Sequence, residues 1–262
     1  MVNLLSANFL RLRKSLVFWL CTAYMLYDGL RLFYHSTQMV QEGTYRDAPS
    51  FQFMFLGGIV FALHCSFFVS GEYGDGAIRN KLTVGASRTA VYLANLITCT
   101  TACLLMCAAY ILPNWTLEYF LVGKTGGLSY SKSSSYIALV FVVCILVVLS
   151  FNAIFTMIGM NIQRKALGSV VILLTAAALI YFGQEGRDML LLRQSAPERY
   201  SYPPLTILRY QLFSDWLPGG QAIFCHYLGY PQAPETMILH SLIVIIVSTA
   251  AGLLLFQRKD LK

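Results

Sequence analysis

The chain has 262 residues, 57% of them hydrophobic and 12% charged, with a net charge of +7. Ordinary soluble domains carry about a quarter charged residues, so the composition excludes one and places the chain in a bilayer. The positive charge needs no nucleic acid to explain it, because most of the basic residues flank apolar runs.

Six apolar runs are each about long enough to cross a hydrocarbon core of roughly 30 Å as a helix. They are Leu16–Tyr34, Phe51–Ser70, Val91–Leu112, Tyr136–Met160, Ala166–Phe182 and Met237–Phe256. The expected fold is an all-α integral membrane protein, a single transmembrane domain over residues 1–262 with both termini on one side. Of the 19 Lys and Arg residues, Arg11, Arg13, Lys14, Arg79, Lys81, Arg88, Arg164, Lys165, Arg258, Lys259 and Lys262 fall in four short segments that alternate spans would place on the same side. That asymmetry predicts cytoplasmic N and C termini. The outer segments hold Arg31, Arg46, Lys124, Lys132, Arg187, Arg193, Arg199 and Arg209.

Met1–Ser15 mixes Leu4, Leu5, Phe9, Leu10 and Leu12 with Arg11, Arg13 and Lys14, which suits a helix in the headgroup plane. The apolar run after it continues to about Tyr34 without a small-residue cleavage site, so it reads as a retained anchor. Span one carries Asp28 and, three residues on, Arg31, candidate intramembrane polar site residues whose spacing and place near the outer end favour a structural pair. Span two holds Gly57-Gly58, which invites close approach by another helix backbone, and His64, a candidate intramembrane polar site.

The stretch Gly71–Asn95 is polar, charged and punctuated by glycine between two apolar runs. Gly71, Gly74 and Gly76 are expected to loosen the chain, Ala77–Val84 to form about two turns carrying Arg79 and Lys81, and Gly85 to end them before Ser87-Arg88 opens the next helix. Glu72 and Asp75 are a close acidic pair, with Arg79 and Lys81 as the expected charge partners.

In span three, Cys99, Cys103 and Cys107 recur every four residues and share one helical face. A soft-metal row is conceivable there, but buried small residues are the commoner use of such a face. The second outer loop, Pro113–Ser135, contains a sequon at Asn114-Trp-Thr116 and a fragment, Gly123-Lys-Thr125, that lacks the first glycine of a phosphate loop because Glu118 stands there. No nucleotide site is expected on this chain.

Span four has Asn152 as its main polar interruption, and Asn161–Gly168 returns as a tight basic turn before a short span five ending near Gly183. Glu185–Glu235 is too long for a plain connection, and Met189–Arg193, Leu205–Trp216 and Gln221–Leu228 read as short helices separated by Pro203-Pro204 and Pro218-Gly-Gly220. They are expected to dip into the outer interface with Tyr210, Trp216 and Tyr227 at headgroup depth. Of the seven cysteines only Cys225 falls in an outer loop, so no disulfide framework is expected and Cys225 should be a free external thiol. The last span has His240 near its outer end and a small-residue patch at Ala250, Ala251 and Gly252.

Glu72, Gly76, the helix Ile78-Arg79-Asn80-Lys81-Leu82, Gly85, and Ser87-Arg88 followed by Tyr92-Leu93 resemble the permease subunits of ABC type 2 exporters. The six-span count, the N-terminal helix, the elaborated loop before the last span and the Arg-Lys-Asp-Leu ending are similar to that family over the whole length. The resemblance implies a permease that pairs with a second, identical or related permease in a bacterial cell membrane and docks on a separate ATP-binding cassette ATPase. ATP and Mg would then lie on that partner, with no cofactor and no metal on this chain. Glu72, Gly76, Arg79, Lys81, Gly85, Ser87 and Arg88 would belong to a coupling helix resting on the ATPase.

Two other classes weigh against this. A stand-alone secondary transporter or channel needs ionisable residues grouped near mid-membrane, and Asp28, His64 and His240 are scattered along the chain. A membrane enzyme needs a carboxylate, His or nucleophile cluster, and Glu72 with Asp75 beside two basic residues is a poor one. The reading adopted is an exporter permease for an apolar or amphipathic cargo, such as a peptide, lipid or drug.

Overall fold

The computed structural model describes residues 1–41, 51–117, 120, 134–198, 202–226 and 234–259. Arg46, Lys124, Lys132, Arg199, Tyr227, Leu228, Lys262 and the Gly123-Lys-Thr125 fragment lie outside the described residues. Among the described residues the chain is helical without strands. It runs α1 (Val2–Arg13), α2 (Leu16–Gln41), α3 (Met54–Gly74), α4 (Ala77–Thr83), α5 (Arg88–Leu117), α6 (Ser134–Asn161) and α7 (Lys165–Ser195). After these come α8 (Pro204–Gln211), a π-type turn (Leu212–Trp216), α9 (Pro218–His226) and α10 (Pro234–Gln257).

Six of these helices, α2, α3, α5, α6, α7 and α10, are long and apolar enough to cross a membrane. α3 is the most buried of them and α10 the least. α3 packs against α6 and α7, α2 lies along α5, and α10 lies along α6. The core is aromatic at its centre, where Phe151 and Phe155 stack with ring centroids 5.6 Å apart.

Several expectations change with packing. Gly57 and Gly58 seat aromatic and aliphatic side chains and not a backbone: a Cβ at Gly58 would lie 2.9 Å from the Phe151 ring and 3.2 Å from Ile180. The close backbone contacts occur elsewhere. A Cβ at Gly183 would come 2.3 Å from the Gly220 nitrogen, and one at Gly219 would come 1.9 Å from the Leu179 carbonyl oxygen. Helix α7 therefore does not stop near Gly183. That glycine is the seat on which α9 rests, and the helix runs on to Ser195, taking in Met189–Arg193. Pro204 and Pro218 open α8 and α9, where a missing N–H costs nothing.

Pro113 likewise lies inside α5, which continues to Leu117. Asn114 is buried and its amide bonds the Tyr110 carbonyl at 3.0 Å, so the sequon is folded into a helix and not displayed on a loop. Near it, Asp28 and Arg31 form an ion pair of 2.9 Å within α2.

The outer-loop reading of Cys225 is corrected: the residue is fully buried in α9, which is enclosed by α3, α6 and α7. Polar bonds hold α9 in place. Gln221 donates to the Asp215 carbonyl at 2.7 Å and accepts from the Ser241 hydroxyl at 2.5 Å. His226 Nδ1 lies 2.7 Å from the Gln52 carbonyl, and burial lowers its pKa from the ordinary histidine value. Trp216 stacks on His240 with ring centroids 4.1 Å apart.

Two measurements check this end of the molecule. A membrane-impermeant maleimide should leave Cys225 unmodified in the folded chain and modify it after denaturation; native modification would mean that α9 is not packed as described. Gly219→Ala should destabilise by at least about 2 kcal/mol in detergent unfolding, because the added methyl overlaps backbone that cannot yield. A variant as stable as wild type would refute the Gly219 contact with α7.

Candidate functional site

The segment between α3 and α5 is built by two glycines and one capping serine. Gly76 has φ +68° and Gly85 φ +91°, the left-handed region that glycine enters without strain. These two residues bound α4. Gly71 and Gly74, expected to loosen the chain, are instead inside α3. The Ser87 hydroxyl accepts from the Ala90 N–H at 3.2 Å and starts α5.

Glu72 is completely buried near the end of α3. A buried carboxylate without partners would cost several kcal/mol, and here each oxygen is used. Oε1 meets the Arg11 guanidinium at 2.5 Å and the Lys81 ammonium, and Oε2 accepts from the Asn95 amide at 2.8 Å. Asn8 closes the ring: its amide donates to Asn95 Oδ1 at 2.8 Å and its oxygen accepts from Lys81 Nζ at 2.8 Å. Arg11 also donates to the Phe68 carbonyl at 2.8 Å and lies 3.8 Å over the Phe68 ring. One carboxylate thus ties together α1, α3, α4 and α5.

The pairing differs from the sequence expectation in one partner. Lys81 reaches Glu72, but Arg79 faces outward and finds no side-chain partner among the described residues. Its exposed companions on and just after α4 are Asn80, Thr83 and Val84, the last 89% exposed.

Arg88 does different work. Its guanidinium donates to the carbonyls of Phe256 and Gln257, each at 3.1 Å, and to that of Lys259, so it caps the end of α10. Lys259 in turn donates to the Asn161 carbonyl at 2.6 Å at the end of α6, and its partial burial lowers its pKa from the ordinary lysine value. Tyr73 bonds the Met160 carbonyl. The described parts of the four basic segments meet at one end of the bundle through these contacts.

The other residues picked out by sequence are not brought to this site. His64 is buried between the Phe18 and Phe68 rings, and neither ring nitrogen has a hydrogen-bond partner among the described residues. Cys99, Cys103 and Cys107 are buried on the inner face of α5. The Cys65 and Cys103 thiols both point at Asn152 Oδ1, at 3.0 and 3.4 Å. No group of three His, Cys, Asp or Glu residues able to hold a metal occurs among the described residues.

Asn8, Arg11, Asn95 and Lys259 are the site residues that the sequence reading passed over. Three of them carried a signal: Asn8 and Arg11 lie one turn apart on the same face of the N-terminal helix, and Asn95 is a lone amide in span three.

A family model described as ABC-2 family transporter protein matches residues 4–182. The chain belongs to this family. No curated protein matches it, and no solved structure does. As an ABC-2 chain it is a multi-pass permease, a transport subunit of a family whose permeases generally work with an ATP-binding subunit. The matched residues take in Asn8, Arg11, Glu72, Lys81, Arg88 and Asn95, whereas α8, α9 and α10 lie beyond them.

Glu72→Ala should destabilise this ABC-2 permease by about 3 kcal/mol, since Arg11, Lys81 and Asn95 all lose their acceptor at once. The check is denaturant unfolding in mild detergent. A variant within about 0.5 kcal/mol of wild type would show that the cluster holds nothing together.

Proposed function

We propose that the chain is the permease of an ATP-driven exporter, carrying an apolar or amphipathic cargo and coupled to a separate ATPase through Gly71–Arg88. The observation that carries this reading is the division of α4 into two faces. Its inner face is bonded through Lys81 to the buried Glu72, and its outer face presents Arg79 with Thr83 and Val84. A helix fastened to three others on one side and bare on the other can pass a push to all of them.

The proposed roles follow the geometry. Gly76 and Gly85 fix where α4 begins and ends, and Ser87 starts the helix that receives its motion. Glu72 and Lys81 transmit, Arg88 links α5 to the end of α10, and Arg79 contacts the ATPase. ATP and Mg bind that partner. The working unit is a dimer of permeases, identical or related, in a cell membrane with both termini cytoplasmic.

The test is affinity purification of the full chain in mild detergent, with an ATPase assay on what accompanies it. Arg79→Glu with Val84→Asp should release an accompanying ATPase while leaving thermal stability unchanged, because neither side chain has an internal partner. Retention of the ATPase by this variant would argue against α4 as the docking surface. Purification of the wild-type chain with no ATPase would favour a stand-alone transporter.

A further inference from the structure

A polar cavity of about 440 Å³ opens between the start of α4 and the turn that joins α6 to α7. Its walls include Glu72, Tyr73 and Gly74 at the end of α3, Arg79 on α4, and Arg164 at the start of α7. The volume is within the range of small-molecule sites. Its electrostatics are one-sided. The Glu72 carboxylate is already shared by Arg11, Lys81 and Asn95, so it does not neutralise the cations across the cavity. Arg79 and Arg164 come from different elements, are both exposed, and have no carboxylate partner among the described residues. Lys165 adds a third positive charge at the rim, where its stem lies across Gly74. Asp75, the other acid nearby in sequence, is exposed and is not part of the wall.

Two guanidiniums facing one cavity suit a phosphate, whose oxygens accept paired N–H donors from each. The position of the cavity says which phosphate. It lies where three membrane-length helices end: α3 at Gly74, α6 at Asn161 and α7 at Lys165. One turn beyond Arg164, α7 exposes Leu167, Val170 and Leu174 on a single apolar face that continues into the span. A cationic cavity where membrane-length helices end, one turn of α7 from an exposed apolar face, matches a lipid with an anionic head and acyl chains.

We propose that this cavity binds the phosphate headgroup of an anionic phospholipid through Arg79 and Arg164, with the acyl chains along Leu167, Val170 and Leu174. The proposal goes beyond coupling to an ATPase; the two readings share Arg79, and Arg164 belongs to the cavity alone. The lipid would brace the α6–α7 turn against α4, two elements that the Glu72 cluster does not join.

The test uses the purified full chain, offered phosphatidylglycerol or phosphatidylcholine of the same acyl composition, with retained lipid counted by native mass spectrometry. Phosphatidylglycerol should be retained in preference. Arg79→Gln with Arg164→Gln should lower that retention about tenfold, as expected for losing two charged contacts to a phosphate. Arg164→Gln alone should also lower it. Arg164 lies outside Gly71–Arg88, so its effect separates this site from ATPase docking. Arg13→Gln, which alters a basic side chain away from the cavity, should change nothing. Equal retention of the two lipids, or unchanged retention in the double variant, overturns the proposal. So does displacement of the lipid by inorganic phosphate, which would make a soluble anion the ligand. Loss of an accompanying ATPase on Arg164→Gln with lipid retention intact would likewise overturn it, in favour of an acidic side chain of the partner protein.

Discussion

A carboxylate buried at the end of a membrane-length helix is the constraint around which one end of this molecule is arranged. Glu72 is fully buried, so its charge is stable only if cations and amide donors reach it from elsewhere. They come from three directions: Arg11 on α1, Lys81 on α4 and Asn95 on α5. Each of these helices gives up freedom to serve one group. That explains why α1 turns Asn8 and Arg11 toward protein beside Leu12 while Val2 and Leu10 stay exposed.

The second constraint at the same end is the set of carbonyls left open where helices stop. In an apolar surround those oxygens need donors, and no further turn supplies them. Arg88 serves the end of α10, Lys259 the end of α6, and the Tyr73 hydroxyl the carbonyl of Met160. The basic residues that mark topology in the sequence thus have a second use, and Arg88 is better described as a cap joining α5 to α10 than as a surface charge.

How legible this was depends on the range of the interaction. The six spans follow from runs of apolar residues, a local property, and each appears in the structure. The ends of α4 follow from Gly76 and Gly85, again local. Glu72 stood out as an acid at the end of a span, but its partners Arg11 and Asn95 lie 61 and 23 residues away, and no short spacing points to them. Glycine was the least readable residue. Gly58 and Gly183 look alike in sequence, yet one seats the Phe151 ring and the other seats a helix backbone. The difference is set by what the rest of the chain brings opposite. The burial of Cys225 fails to show in the sequence for the same reason: α9 is too short to announce itself as a core helix, and its seat on Gly183 together with the Gln221 and His226 bonds holds it inside.

The two ends of the molecule are therefore held by different physics, and the contrast bears on how it would move. At the end formed by α7 and α9, backbones touch through Gly183, Gly219 and Gly220, and packed backbone has no alternative arrangement at low cost. At the basic end the ties are hydrogen bonds and ion pairs among long side chains, which can exchange partners while keeping a charge satisfied. Lys81 already divides its donors between Glu72 and Asn8. A shift of α4 would redistribute those donors before it broke the cluster, whereas an equal shift of α9 would drive atoms into overlap. If the chain is driven from one end, the chemistry of its contacts makes the basic end the one that can yield and the glycine-packed end the one that holds.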